Sequence, residues 1–202
     1  WQGLFGFCGR GDVSRRMIPR FPWIRDWLES CGIQLAVRFP DDLDASTEGV
    51  FPEEALGAGM QPRRRREFES GRIAAREALV ACGGRACAIL QGSRGEPLWP
   101  ACYTGSITHT KGLVAAACMR QEVDPPEPVA LQRPEDVRQK KVQAVGIDLE
   151  CAGRNLSDAA WAHILSGEDA DLHPKDAASL HRLIVFSAKE SLYKAVYPLC
   201  GE

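Results

Sequence analysis

The chain has 202 residues, 45% hydrophobic and 26% charged, with 25 Lys and Arg against 27 Asp and Glu for a net charge of -2. That length can bury a core as one ordinary domain or as two small pseudo-repeated halves, and the balanced charge offers no bulk attraction to nucleic acid or membrane. No stretch approaches the roughly 18 uninterrupted apolar residues of a spanning helix, and Trp1 to Cys8 lack the charged and apolar regions of a signal peptide, so a cytoplasmic protein is expected.

Residues 1–34 carry little periodicity, apart from a short helix expected over Trp23 to Cys31; an opening on Trp rather than Met reads as a fragment or a trimmed chain. Gln34 to Phe39 alternates like a strand, and Pro40 to Pro62 reads as loop, punctuated by Pro and Gly. Arg63 to Cys82 is rich in helix formers, places Phe68, Ala75, Leu79 and Cys82 near one face, and stops at Gly83-Gly84. Leu98 to Cys102, Leu113 to Met119 and Val142 to Leu149 are short apolar runs between turn residues, as in a small sheet. Residues 124–141 form a polar, proline-rich connection expected to be mobile. A helix starts at Ser157 or Asp158 and includes Trp161, and the clearest helix runs from about Asp176 to Val196. The order of elements indicates an α+β fold, divided into a segment 1–34, an N-terminal half 35–123, the connection 124–141 and a C-terminal half 142–202.

The eight cysteines form no Cys-x-x-Cys pair, and the four histidines show no zinc-like spacing with them. They read as free thiols of a reducing compartment.

Four constellations carry chemistry. In Ala144 to Glu150, a strand would place Asp148 and Glu150 on the same face; spacing alone favours an exposed acidic strand end, the alternative being a pair of oxygen ligands for a hard cation such as Mg2+. In Phe186 to Lys194, Glu190 and Lys194 share a helix face, as a surface ion pair or as a third carboxylate or base beside a phosphate-neutralising ammonium. Thr104 to Thr110 reads as a turn whose hydroxyls and imidazole, His109, either hydrogen-bond structurally or bind phosphate oxygens. Arg63 to Arg66 open a helix against its dipole, with Arg72 and Arg76 one turn apart and able to converge on one anion.

Taken in order, the segments RRRREFESGRIAAREAL, GSRGEPLWP, GSITHTKGLVAAA, VGIDLE and FSAKESLYKA resemble the 4'-phosphopantetheinyl transferases. The resemblance is to the surfactin/enterobactin type, particularly the enterobactin synthase component D branch, and covers about residues 35 to 199. It implies two similar halves, each a small antiparallel sheet on a long helix, with coenzyme A in the cleft between them. It implies Mg2+-dependent transfer of the phosphopantetheine arm from coenzyme A to a serine of an acyl or peptidyl carrier protein, releasing 3',5'-ADP. By the same resemblance, Asp148, Glu150 and Glu190 hold Mg2+, Glu190 deprotonates the serine, and Lys189 and Lys194 face the diphosphate. Arg64 and Arg72 fall at basic positions for the coenzyme A phosphates. Arg94, Gly95, Glu96 and Pro97 match a loop along the nucleotide, Arg94 standing where lysine is frequent; Thr108 and His109 match a Ser/Thr-His pair contacting the 3'-phosphate and neighbouring atoms. Arg63, Arg65, Arg66 and Arg76 are left as surface charges. The family's last helix is followed by further strands, whereas this chain ends at Cys200-Gly-Glu202, so an incomplete C-terminal half is expected. A monomer is expected, while siderophore, nonribosomal-peptide and polyketide pathways stay open. Two rivals are a non-catalytic relative that binds coenzyme A or carrier protein, and a nucleic-acid binder using Arg63 to Arg66, against which the charge balance argues.

Overall fold

A computed structural model describes residues 22–43, 51–121, 143–165 and 178–200. The order of elements is α1 (Pro22–Ser30), β1 (Ile33–Arg38), α2 (Pro62–Ala81), β2 (Leu90–Gln91), β3 (Pro97–Leu98), β4 (Tyr103–Thr110), β5 (Leu113–Arg120), α3 (Asp158–Ile164) and α4 (Ser179–Cys200). Short 3-10 turns at Pro40–Asp42 and Pro52–Gly57 lie between β1 and α2.

β4 and β5 form a hairpin, closed at Gly112 with φ 77, and β1 pairs antiparallel on the other side of β5, giving the order β1-β5-β4. Strand alternation then sorts the core into two layers. Ala36, Ile107, Ala116 and Cys118 face α2, where they meet Ala74, Ala75, Ala78 and Leu79. Small residues on both sides let helix and sheet approach closely: a Cβ on Gly71 of α2 would lie 3.1 Å from Ile107. Ile33, Leu35, Ala117 and Met119 face the opposite way, onto Val145 and Ile147.

Residues 143–150 are extended but unpaired, so the strand expected at Val142 to Leu149 does not form a ladder. A strand needs a neighbour that takes its backbone groups. Here side chains take them instead: Gln121 Nε2 donates to the Gln143 carbonyl at 3.0 Å, Lys194 Nζ to the Ile147 carbonyl at 3.3 Å, and the Leu149 N–H donates to Thr108 Oγ1 at 3.1 Å. Among the described residues the C-terminal half therefore has a long helix without a sheet of its own, unlike the two matched halves expected. The residues 124–141 expected to be mobile, and most of 1–34, lie outside the described residues.

α4 crosses directly over this extended segment. Gly146 permits the crossing, since a Cβ there would overlap the Ser191 carbonyl oxygen and come within 2.8 Å of the Ala195 nitrogen. Ser157 accepts the Ala160 N–H at 3.2 Å and caps α3. The segment expected as a polar turn, Thr104 to Thr110, is strand β4 itself: Tyr, Ile and Thr suit a pleated surface and β5 supplies the partner. The strand expected to reach Cys102 ends at Leu98, and Cys102 adopts a left-handed φ of 68. The described cysteines are all free, and no helix among the described residues is long and apolar enough to cross a membrane.

Gly146→Ala is expected to lower stability by about 1–3 kcal/mol, the usual cost of forcing atoms into a closed contact. Gly153→Ala, where an added Cβ meets open space, is expected to stay within about 0.5 kcal/mol of the parent. Urea denaturation of both variants checks the contrast.

Candidate active site

Three elements converge on Asp148. Thr108 on β4 is buried and points to the face occupied by the extended segment, so its Oγ1 donates to Asp148 Oδ1 at 3.1 Å while accepting the Leu149 N–H. Lys194 on α4 places its Nζ 2.6 Å from Asp148 Oδ1 and 3.4 Å from Thr108 Oγ1. The Asp148 side chain is only 8% exposed. Its second oxygen, Oδ2, is buried without a hydrogen bond, although the Ser187 hydroxyl lies close enough to act on its charge. Burial pushes the Asp148 carboxyl upward, but the hydrogen bond and charge of Lys194, assisted by the Ser187 and Thr108 hydroxyls, hold it below its ordinary value.

Glu150 does not join Asp148 at an exposed acidic end. Its side chain is 12% exposed and paired with Arg154, whose guanidinium lies 5.1 Å from the Phe186 ring centre. Glu190 lies on the same α4 face as Lys194, one turn earlier, but the ammonium is drawn to Asp148. Among the described residues no three His, Cys, Asp or Glu side chains gather as a metal-holding group. Asp148, Glu150 and Glu190 thus supply the oxygen chemistry a hard cation requires without standing as an assembled triad, and Lys194 and Arg154 pair with the first two.

A second cluster forms where the start of α2 meets the end of β4. Arg64 Nη1 donates to His109 Nε2, which makes Nε2 the lone-pair nitrogen of a neutral ring. Glu67 lies beside both, 3.7 Å from Arg64 Nη1 and 3.6 Å from His109 Nε2, and accepts from Arg63 Nε at 3.2 Å. Burial lowers the His109 pKa below 6.5; Arg64 and Lys194 push the same way, against Glu67 and Asp148. Thr108 and His109, expected as a pair at the 3'-phosphate and neighbouring atoms, turn to opposite faces of β4, one to Asp148 and the other to Arg64.

Other expected residues are placed differently. Lys189 Nζ donates to the Ile164 carbonyl at 2.8 Å, at the C-terminus of α3 where a cation is favoured. Five residues separate it from Lys194, a rotation of about 140° around the helix, and the two ammonium groups go to different partners, Ile164 and Asp148. Arg72 and Arg76 are buried rather than converging on a surface anion. Their guanidiniums lie 4.8 Å from the Phe68 and 4.2 Å from the Phe51 ring centres. Arg76 is therefore not the surface charge expected, and Arg65 pairs with Glu69 at 2.6 Å. Arg94 to Glu96 lie in the turn between β2 and β3 and Pro97 opens β3, with Gly95 at φ 95 and the Arg94 N–H donating to Glu96 Oε2 at 3.0 Å. The exposed Arg94 guanidinium lies 5.5 Å from the Tyr197 ring centre, bridging this hairpin to α4. Glu67 and Ser187 were not singled out by sequence; Glu67 carried a readable signal in standing three and four residues after Arg64 and Arg63.

Two models of one family match the chain: the 4'-phosphopantetheinyl transferase N-terminal domain over residues 52–119, and the 4'-phosphopantetheinyl transferase superfamily over residues 144–202. Together they span more than half of it. The chain is 37% identical over 151 residues to 4'-phosphopantetheinyl transferase PptT of Mycobacterium tuberculosis, covering 74% of this chain and 59% of that protein. It is 33% identical over 174 residues to 4'-phosphopantetheinyl transferase Svp of Streptomyces mobaraensis, covering 81% and 61%. It is 32% identical over 136 residues to enterobactin synthase component D of Salmonella typhi, covering 66% and 48%. The chain thus spans about half to three fifths of the length of these curated relatives. A solved holo-(acyl-carrier-protein) synthase from Bacillus anthracis, in complex with CoA (3',5'-ADP), overlays at a TM-score of 0.38 with 23% identity, over 45% of this chain and 96% of that one. That overlay is too loose to inform the fold.

Lys194→Met leaves the Asp148 carboxylate buried without its counter-charge and is expected to cost about 3–5 kcal/mol at neutral pH, read from denaturant midpoints. A second expectation concerns acid. Because the folded protein lowers the His109 pKa, the unfolded chain binds the proton more readily, and stability rises with pH from the depressed pKa up to about 6.5. His109→Gln is expected to flatten that part of the stability-pH curve.

Proposed function

The chain belongs to the 4'-phosphopantetheinyl transferase superfamily, and from that membership we propose that it transfers the 4'-phosphopantetheine arm of coenzyme A to a serine hydroxyl of an acyl or peptidyl carrier protein. The second product is 3',5'-ADP, and the reaction is placed in the cytoplasm, carried out by a monomer on carriers of siderophore, nonribosomal-peptide or polyketide type. The observation that carries the reading is Asp148: a buried carboxylate gripped through one oxygen by Thr108 and Lys194, its other oxygen without a hydrogen bond, where β4, the extended segment and α4 meet.

The residues fit Mg2+ in chemistry. Asp148, Glu150 and Glu190 offer oxygen donors only, as a hard cation demands, and a buried acceptor lacking a donor is what a cation satisfies. When bound, Mg2+ shields the pyrophosphate charge and stabilises the departing phosphate. The remaining work belongs to side chains. Lys194, 26% exposed at its side chain, presents an ammonium to the diphosphate. Glu190 accepts the proton of the carrier serine on a carboxylate oxygen as the serine oxygen bonds to phosphorus and the bond to the bisphosphate leaving group breaks. Arg64 and His109 hold a nucleotide phosphate, Arg64 through its exposed fork. The Arg94 to Pro97 turn lies along the nucleotide, steadied against α4 by the contact of Arg94 with Tyr197.

Intact-mass spectrometry of an apo carrier protein incubated with this chain, coenzyme A and Mg2+ is expected to show the addition of one phosphopantetheine arm, lost in a matched sample with EDTA. Glu190→Gln is expected to slow transfer by about a hundredfold or more. Near-parental turnover in that variant would sink the assignment of the base, and no mass gain on several carriers despite coenzyme A binding would leave a binding protein without transfer.

A further inference from the structure

We propose that Glu67 is the positioning residue of the phosphate cluster: its carboxylate restrains the Arg64 guanidinium of α2 beside His109 of β4 so that one phosphate group meets both. The inference rests on the reading above that Arg64 and His109 receive a nucleotide phosphate. Glu67 itself is unsuited to touch an anion, since its negative charge would repel one. It lies inward, its side chain 10% exposed, while Arg63, Arg64 and His109 around it are 67%, 54% and 41% exposed. A recessed carboxylate ringed by three exposed basic groups leaves the outer surface of the cluster positive.

The contact of Arg64 with His109 depends on the charge of the ring. The guanidinium is permanently charged, so contact with the imidazole is favourable only while the ring is neutral, and repulsive once it gains a proton. On its own side of the sheet His109 meets Arg64 and Glu67 from α2, while Lys194 from α4 and Asp148 from the extended segment, on the Thr108 side, act on its charge from farther away. Within that set, Glu67 is the carboxylate at 3.6 Å from Nε2. It also restrains Arg64, a long side chain that would otherwise lose its rotamer freedom when the phosphate binds; ordering it in advance improves affinity without a new ligand contact. Pairs at i,i+3 and i,i+4 on α2 would serve the helix in any case, so the test reads coenzyme A binding and the His109 ring rather than stability.

Two measurements on the full chain test the role. For Glu67→Gln, which keeps the shape and removes the charge, KM for coenzyme A is expected to rise about tenfold while kcat stays within about twofold, the pattern of lost binding rather than lost chemistry. The His109 ring, followed by NMR in ligand-free protein and assigned with His109→Gln, is expected to titrate at a lower pH in Glu67→Gln, because the neighbouring cation remains and the carboxylate is gone. An unchanged KM, or an unchanged His109 midpoint, would overturn the proposal. Should Glu67→Gln fail to fold, Glu67→Asp withdraws the carboxylate from contacts already at 3.6 and 3.7 Å, with the same signs expected and the same results counting against it. Parental protein that transfers nothing would strike at the transferase reading; the His109 midpoint in parent and variant would still decide the role of Glu67.

Discussion

The buried pairing of Asp148 with Lys194 is the constraint around which the C-terminal half is arranged. A carboxylate with an 8% exposed side chain is costly unless its charge is answered, and the answer comes from two elements far apart in sequence, Thr108 on β4 and Lys194 on α4. Residues 143–150 have no strand partner, so this polar knot and the apolar contacts of Val145 and Ile147 fasten them to the sheet. Gly146 then decides how closely α4 can lie, and that closeness is what brings Lys194 within reach of Asp148.

The same economy of contacts explains the contrast between the two sides of the sheet. Toward α2, Ala, Gly and Leu interlock into a dry layer in which Ala74, Ala75, Leu79 and Ala116 are wholly buried. Toward α4 the surfaces meet through polar groups, and Leu183 is the buried residue of that helix while Ile184, Leu192 and Leu199 remain exposed.

The arginines show how far residue type alone can carry an argument. Six arginines stand in and around the α2 segment, and five of them part into three kinds. Arg63 and Arg64 gather around Glu67, Arg65 pairs with Glu69, and Arg72 and Arg76 turn inward onto aromatic rings. Guanidinium groups stack on rings as readily as they bind carboxylates, so which role each adopts depends on whether Phe51, Phe68 or a glutamate is its neighbour in space. Lys189 and Lys194 divide similarly, one at the end of α3 and one at Asp148.

Sequence alone determined the helices α2 and α4, the strands β1 and β5, the stop at Gly83-Gly84 and the family, because helical periodicity, strand runs and ordered motifs are properties of local residue order. It also marked Asp148, His109, Arg64 and Lys194 as residues of interest. Only the tertiary structure decided that the 143–150 segment is extended without a ladder, that β4 is a strand rather than a turn, that Thr108 and His109 face opposite ways, and that Glu67 joins the cluster. Each of these depends on a partner distant in the chain: a strand exists through its neighbour, and a buried charge takes the position of whatever group neutralises it.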